Sequence, residues 1–194
     1  MNIDELRQLL QTYCPGTPHE ALHAQEIQTL LKQGINAWNR ENYTPGHLTA
    51  SSFIIDANAE KVALIFHSKL HRWLQPGGHV EASDKNILSA AQRELAEETG
   101  LSLNIIPSGN NNWSLLDLDI HTIPARPNQP EHKHFDLRFV LILPQGQHPI
   151  LVGADDAVDA QWLPLESLLD SGEEGLQRCY KKLCAKSKKR SFTV

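Results

Sequence analysis

Three glutamates, Glu94, Glu97 and Glu98, stand at i, i+3 and i+4, so on a helix their carboxylates project from one face. On an exposed face such like charges repel only weakly, whereas gathered in a cleft they cost more and a bound dication would offset the repulsion. Hard oxygen ligands suit Mg²⁺, which keeps several waters that a substrate's phosphates can share. Alone, an acidic cluster is more often a solvated helix face. Two neighbours change the balance. Pro76-Gly77-Gly78 supplies a loop whose backbone can approach a ligand where a Cβ would obstruct it. Ala90, Ala91 and Leu95 give the acidic segment an apolar face for docking on a sheet, which leaves the acids toward a cleft or solvent.

Other groups carry weaker chemistry. His132, His134 and Asp136 alternate, so in a strand they share one face while Phe135, Leu137, Phe139 and Leu141 share the other. The polar set reads as a hydrogen-bonded rim lining a cleft, with ligation of a transition metal as the alternative. Trp38, Trp73, Trp113 and Trp162 could stack on a base or pack in the core, and Trp73 is favoured for stacking because it abuts the glycine loop. Asp155, Asp156 and Glu131 are further acids in loops, read first as solvated turns.

These residues must be positioned by regular elements. Local signals predict a helix from about Asn86 to Thr99 closed by Gly100, preceded by a loop at Gln75 to Gly78. Two helices are expected to open the chain. The second has Thr17 as N-cap, Pro18 at its first position, Glu20 closing a capping box, and a stripe of Ile27, Leu30, Leu31, Ile35 and Trp38. Strands are expected at Leu48 to Ile55 and Val62 to Phe66, joined as a hairpin through 57–60, and at Trp113 to Ile120, Phe135 to Leu143 and Val158 to Trp162. Pro124 to Pro130 reads as a loop, and short helices follow Pro164 and Gly172. Strands interleaved with one central helix and flanked by terminal helices predict an α/β fold with a mixed sheet between helical layers.

From Gly78 the sequence resembles the Nudix box: a glycine, five residues, an acid, a spacer, then Arg93, Glu94, Leu95, Glu97, Glu98, Gly100 and Leu101. Five fixed identities at ordinary residue frequencies coincide by chance in roughly one window per million. Two departures stand out: the first acid is Asp84, with Glu81 as a rival, and eight residues rather than seven separate Asp84 from Arg93. The resemblance runs from about His47 to Leu169, and the stretches around His67 to Val80 and His132 to Phe139 look like a bacterial subgroup of largely unassigned substrate.

The resemblance implies a Nudix-type α/β/α sandwich at 47–194 with a helical N-terminal extension at 1–46. It implies hydrolysis of a pyrophosphate bond in a nucleoside diphosphate linked to another moiety. Glu94, Glu97, Glu98 and the Gly77 carbonyl would hold Mg²⁺, or Mn²⁺. Arg93 would orient a neighbouring glutamate, Glu94 or Glu98 would act as base, and Trp73, Gly78, His132 and His134 would contact the substrate. The first acid would tie the loop to the arginine. The alternative is a Nudix-like regulatory module that binds a nucleotide without cleaving it. Diphosphate isomerisation would want a cysteine near the site, and Cys14, Cys179 and Cys184 all lie in terminal segments.

Composition bounds the partners. With 194 residues, 40% hydrophobic and 21% charged, the chain reads as one ordinary globular domain. Its net charge of -5 argues against general nucleic-acid binding. No apolar run approaches a membrane span of ~20 residues, and the start MNIDELRQLL does not read as a signal peptide. Three cysteines are too few and too ill-spaced for a zinc site or a disulfide framework, and a cytoplasmic setting is expected. The basic stretch Lys181 to Arg190 reads as a solvated helix end, and with the N-terminal helices it is where a homodimer would form.

Overall fold

Strand β1 (Gly46–Ile55) is buried along its whole length, which suits a sequence of small, β-branched and apolar residues. In the computed structural model, which describes residues 3–34, 36–101, 113–145, 147, 149, 151–153 and 157–190, β1 runs parallel to β6 (His132–Ile142). Its other edge is shared. Ile54 and Ile55 pair with Ala63 and Val62 of β2 (Lys61–His67), forming the expected hairpin, and Thr49 to Ser51 pair with β4 (Gly77–His79). β3 (Arg72–Leu74) and β7 (Ala157–Pro164) pair with β2, and β5 (Trp113–Ile123) pairs with β6, giving one mixed sheet of seven strands.

Helices cover both faces. α1 (Ile3–Thr12), α2 (Pro18–Lys32) and α3 (Ile87–Thr99) bury Leu6, Leu10, Ile27, Leu30, Ala90 and Ala91 in one cluster with Leu48, Ala50, Phe135 and Leu137. On the other face α4 (Ser167–Asp170) and α5 (Glu174–Arg190) set Leu168, Leu176, Cys179 and Leu183 against Phe53, Ile55, Leu64 and Val140. This is the α/β/α sandwich with a mixed sheet that the sequence predicts. α3 is delimited as expected: Asn86 and Ser89 cap each other reciprocally, and Gly100 closes the helix at φ 67.

Several local expectations are corrected. Thr17 caps α2 and Pro18 opens it, but Glu20 does not reach back to the cap. Its fully buried carboxylate turns inward to Tyr13, Lys182 and the backbone N–H groups of Gly16 and Leu118, because buried donors outbid a solvated cap. α2 stops at Lys32 ahead of Gly34, so Trp38 packs from beyond the helix; Ile35 lies outside the described residues. The glycine loop is partly strand, since Gly77 and Gly78 pair with Ser51 and Ala50. β6 lies between β1 and β5, so its polar residues are more buried than a strand rim, with His132 and Asp136 each only 3% exposed, while His134 and Asp136 line a cleft. α5 is a long helix rather than a short one, held by its apolar stripe.

Nor is the basic stretch solvated throughout. Lys182 reaches inward to Glu20 and Asp117. An irregularity in the β5–β6 register between Leu115 and Asp117 accompanies the placement of Asp117 and Asp119 against α5. There Arg178 donates to both oxygens of Asp117 at 2.8 Å, and Arg138 and Arg178 each reach Asp119 at 2.9 Å.

Candidate active site

Arg93, on the capped helix α3, gathers the box. Its Nε and Nη2 donate to the two oxygens of Asp84, each at 3.1 Å, and Nη2 also donates to the His79 carbonyl at 2.8 Å. Nη1 donates to Glu94 Oε1 at 3.0 Å and to Glu97 Oε2 at 2.8 Å. One planar guanidinium therefore ties the loop acid to two of the three helix glutamates, a geometry a lysine could not supply. Burial works against the Arg93 charge, but the bond to Asp84 and the charge of Glu94 outweigh it and raise its pKa above the ordinary value.

Asp84 holds this position despite the shorter side chain and longer spacer. Its side chain is 4% exposed, and it also accepts the Glu81 N–H at 2.8 Å. The Glu81 carboxylate lies 3.9 Å from Arg93 on a 60% exposed side chain, so the rival acid makes the weaker contact.

The glycines meet the glutamates directly. Gly77 N–H donates to Glu98 Oε2 at 2.9 Å. A Cβ at Gly78 would fall 2.6 Å from the Glu94 carboxylate, so the absence of a side chain there makes room for that group. Gly77, Gly78, Glu94 and Glu98 line a cleft of about 490 Å³, together with His134 and Asp136. Asp136 is fixed by Thr49 Oγ1 at 3.1 Å, Ser51 Oγ at 2.9 Å and Arg138 Nε at 3.0 Å.

Electrostatics fit a cation-binding role. Burial raises the Glu94 pKa, with Arg93 opposing the shift and Glu97 and Glu81 adding to it. A dication among these carboxylates would offset that cost, and their hard oxygens are the donors Mg²⁺ prefers.

Not every expected residue joins this group. Glu97 stands beside Glu94 through Arg93 but outside the cleft lining, its side chain 43% exposed. Trp73 packs edge-to-face on Phe66 and against the α5-side core, while its strand neighbour Leu74 lines the cleft. His132 is buried with Nδ1 2.8 Å from the Pro130 carbonyl, and of the β6 histidines only His134 lines the cleft. Trp162 donates to the Pro149 carbonyl, Glu131 is exposed, and Asp155 and Asp156 lie outside the described residues.

Three cations in the lining went unread: Arg40, Lys69 and Arg126. Each is a single basic residue outside the regular elements, so only the fold brings them together.

A model of the NUDIX domain matches residues 45–183. The chain belongs to the Nudix family. The m7GpppN-mRNA hydrolases NUDT17 of Bos taurus and Homo sapiens are each 35% identical over 80 residues, 40% of this chain, and the aligned stretch spans 25% and 23% of their lengths. The chain thus spans about a quarter of the length of these curated relatives. Among solved structures, the E. coli dihydroneopterin triphosphate pyrophosphohydrolase superposes with a TM-score of 0.53 at 16% identity, covering 71% of this chain and 95% of that one. That likeness is one of fold. In this Nudix domain the matched segment runs from the start of β1 into α5, and so contains both the glycine strand and the acidic helix.

Proposed function

We propose that this Nudix domain hydrolyses a pyrophosphate linkage in a nucleoside diphosphate joined to another moiety, using Mg²⁺ or Mn²⁺ held by Glu94, Glu97, Glu98 and the Gly77 carbonyl. The observation that carries this reading is the juxtaposition of Glu94 and Glu98 on one cleft wall with Arg93 tying the box behind them.

The chemistry a bound Mg²⁺ supplies is charge neutralisation on the diphosphate and acidification of a water. The chain's own groups do the rest. Arg93 orients Glu94 and Glu97, and the Gly77 amide orients Glu98. Glu94 or Glu98 takes the proton of the attacking water. Arg40, Lys69 and Arg126 line the same cleft and match the negative charge of a diphosphate, with Gly78 in the substrate-contacting wall beside Glu94.

We further place the protein in the bacterial subgroup that its loop resembles, as a cytoplasmic enzyme of small molecules. The free cysteines Cys14, Cys179 and Cys184 support a reducing compartment. None of the described helices is long and apolar enough to cross a membrane. Residues 1–46 act as a helical extension that completes one core cluster of the 47–194 domain.

The test is turnover of dinucleotides, nucleotide sugars and nucleoside triphosphates with Mg²⁺ or Mn²⁺, reading phosphate-containing products. Hydrolysis that depends on the metal and is lost in Glu97→Gln and Glu98→Gln is expected. Wild-type turnover in both variants would sink the assignment. A thermal shift with one nucleotide, without turnover, would favour the regulatory module.

A further inference from the structure

A belt of imidazoles crosses one end of the sheet. His47 of β1 lies opposite His134 of β6, and His134 lies opposite His121 of β5. His132 is two residues before His134 on the same face of β6, and His79 of β4 is opposite Thr49, on the face that His47 shares. Three of these converge. His47, His132 and His134 each offer a ring nitrogen, and these nitrogens lie within 4.8 Å of one another.

Their hydrogen bonding leaves the inner nitrogens bare. His47 Nδ1 is 3.2 Å from the Asn42 carbonyl and His132 Nδ1 is 2.8 Å from the Pro130 carbonyl. A carbonyl only accepts, so Nδ1 carries the proton in both rings and Nε2 presents a lone pair. The Nε2 atoms of His47, His132 and His134 are buried and without a hydrogen-bond partner among the described residues, in side chains of which His47 is 0% and His132 3% exposed. Folded proteins rarely leave buried polar nitrogens so, and three of them in rings whose ligand nitrogens come within 4.8 Å of one another call for a shared occupant. A carbonyl fixing the Nδ1 proton while Nε2 stays open is how metal-ligating histidines are oriented.

We propose that His47, His132 and His134 bind a Zn²⁺ ion through their Nε2 atoms, at a site separate from the glutamates of the Nudix box. The donor chemistry separates the two ions: imidazole nitrogen suits Zn²⁺, whereas Mg²⁺ takes oxygen. A tetrahedral Zn²⁺ with N ligands holds them about 3.3 Å apart, so small ring movements close the site. Asp136, the carboxylate that shares their face of β6, is not one of the group whose ligand atoms lie within 4.8 Å of one another, and its oxygens accept instead from Thr49, Ser51 and Arg138. Of the three rings, His134 also lines the cleft, as does the nearby His79. The His79 ring lies 5.1 Å from both His47 and His134.

Burial disfavours the charged forms of His47, His79 and His134. Burial, then the neighbouring histidines, lowers His134 to about 2, and burial with His47 and Arg40 lowers His79 to about 4. Arg40 bears on His47 and His79 and opposes any cation, so the three coordinate bonds must outweigh it.

Co²⁺ titration of the chelator-dialysed full chain tests the site, because a nitrogen-rich tetrahedral centre absorbs visibly. A visible band that saturates with one equivalent of nitrogen-bound Co²⁺ and is abolished by Zn²⁺ is expected. His134→Gln should weaken the binding that gives this band at least about 100-fold, while the double variant Glu94→Gln and Glu98→Gln keeps the band and its midpoint. Long-range ¹H–¹⁵N spectra of the wild-type chain supply a check without substitution: Zn²⁺ should move the Nε2 resonances of His47, His132 and His134 and leave their Nδ1 protons in place for His47 and His132. Absence of the band, its survival in His134→Gln, its loss in the glutamate variant, or unmoved Nε2 resonances would each overturn the proposal. None of these readouts depends on turnover, so a failure of the hydrolase assignment remains distinguishable.

Discussion

Asp84 and Arg93 form a two-point contact, with both carboxylate oxygens accepting from the guanidinium at 3.1 Å. The exposed Glu81 nearby does not replace it. In Asp84→Asn the amide keeps one acceptor and turns a donor toward a cation. A loss of about 1–3 kcal/mol is expected, which a thermal melt reads directly. kcat/KM should fall too, because Arg93 then holds Glu94 and Glu97 less firmly. Unchanged Tm and kcat/KM would show that another group anchors the arginine.

The two glycines of β4 should fail in different ways. At Gly78 an added Cβ meets the far end of the flexible Glu94 side chain, which can swing away. Gly78→Ala should therefore keep its Tm while kcat/KM drops about 100-fold, the scale of an ångström-sized misplacement. At Gly77 the Cβ would lie 2.4 Å from Ser51 Cβ and 2.8 Å from the Ala50 carbonyl oxygen, and backbone must move. Gly77→Ala should lose about 1–3 kcal/mol. Equal melting losses in the two variants would contradict this division.

Glu94 has a raised pKa, so its protonated form is favoured in the folded chain. The stabilising contribution is complete below the ordinary glutamate value of ~4.3 and is lost as pH rises through the raised folded value. Metal-free Glu94→Gln should then melt above the metal-free wild type at pH 7, and the gap should close below pH ~4.3. Adding Mg²⁺ should raise the wild-type Tm and leave the variant's nearly unchanged. Paired melts at the two pH values, with and without Mg²⁺, decide it.

Asp117 presents the opposite sign. Burial works against its charge, but Arg178, Arg138 and Lys182 hold its pKa below the ordinary range. Its contribution is present above ~3.9 and is lost as pH falls through the depressed value. Asp117→Ala leaves buried cations underpaired and should cost about 3–5 kcal/mol at pH 7. The difference from wild type, measured by urea unfolding, should shrink in acid; a constant difference down to pH 2 would refute the linkage.

How far the chain could be read without coordinates depended on the reach of each signal. Asn86, Gly100 and the apolar face of α3 act within one helix, and they delimit it as expected. The box residues Gly78, Arg93, Glu94 and Glu98 lie within one short segment and meet in the structure. His47 and His79 were invisible as partners of His134, because strand register alone sets them side by side. The same holds for Arg40 and Arg126, which come from separate loops. Trp73 was favoured for its proximity to the glycines, but adjacency along the chain does not fix which face of β3 a ring takes, and this one packs on Phe66. Glu20 had a valid capping position, yet Lys182, far off in sequence, offered a buried partner.

The division of the β1 edge between β2 and β4 bears on how substrates could be told apart. Because Gly77 and Gly78 are paired to the central strand, the glycine wall of the cleft is anchored in the sheet itself. Arg126 and Gln129 reach the cleft from a turn outside the named strands. Changes there can reshape what the cleft accepts while the Arg93 cluster stays in place. On the proposed function, the hydrolytic groups belong to the scaffold and selectivity to a turn outside it.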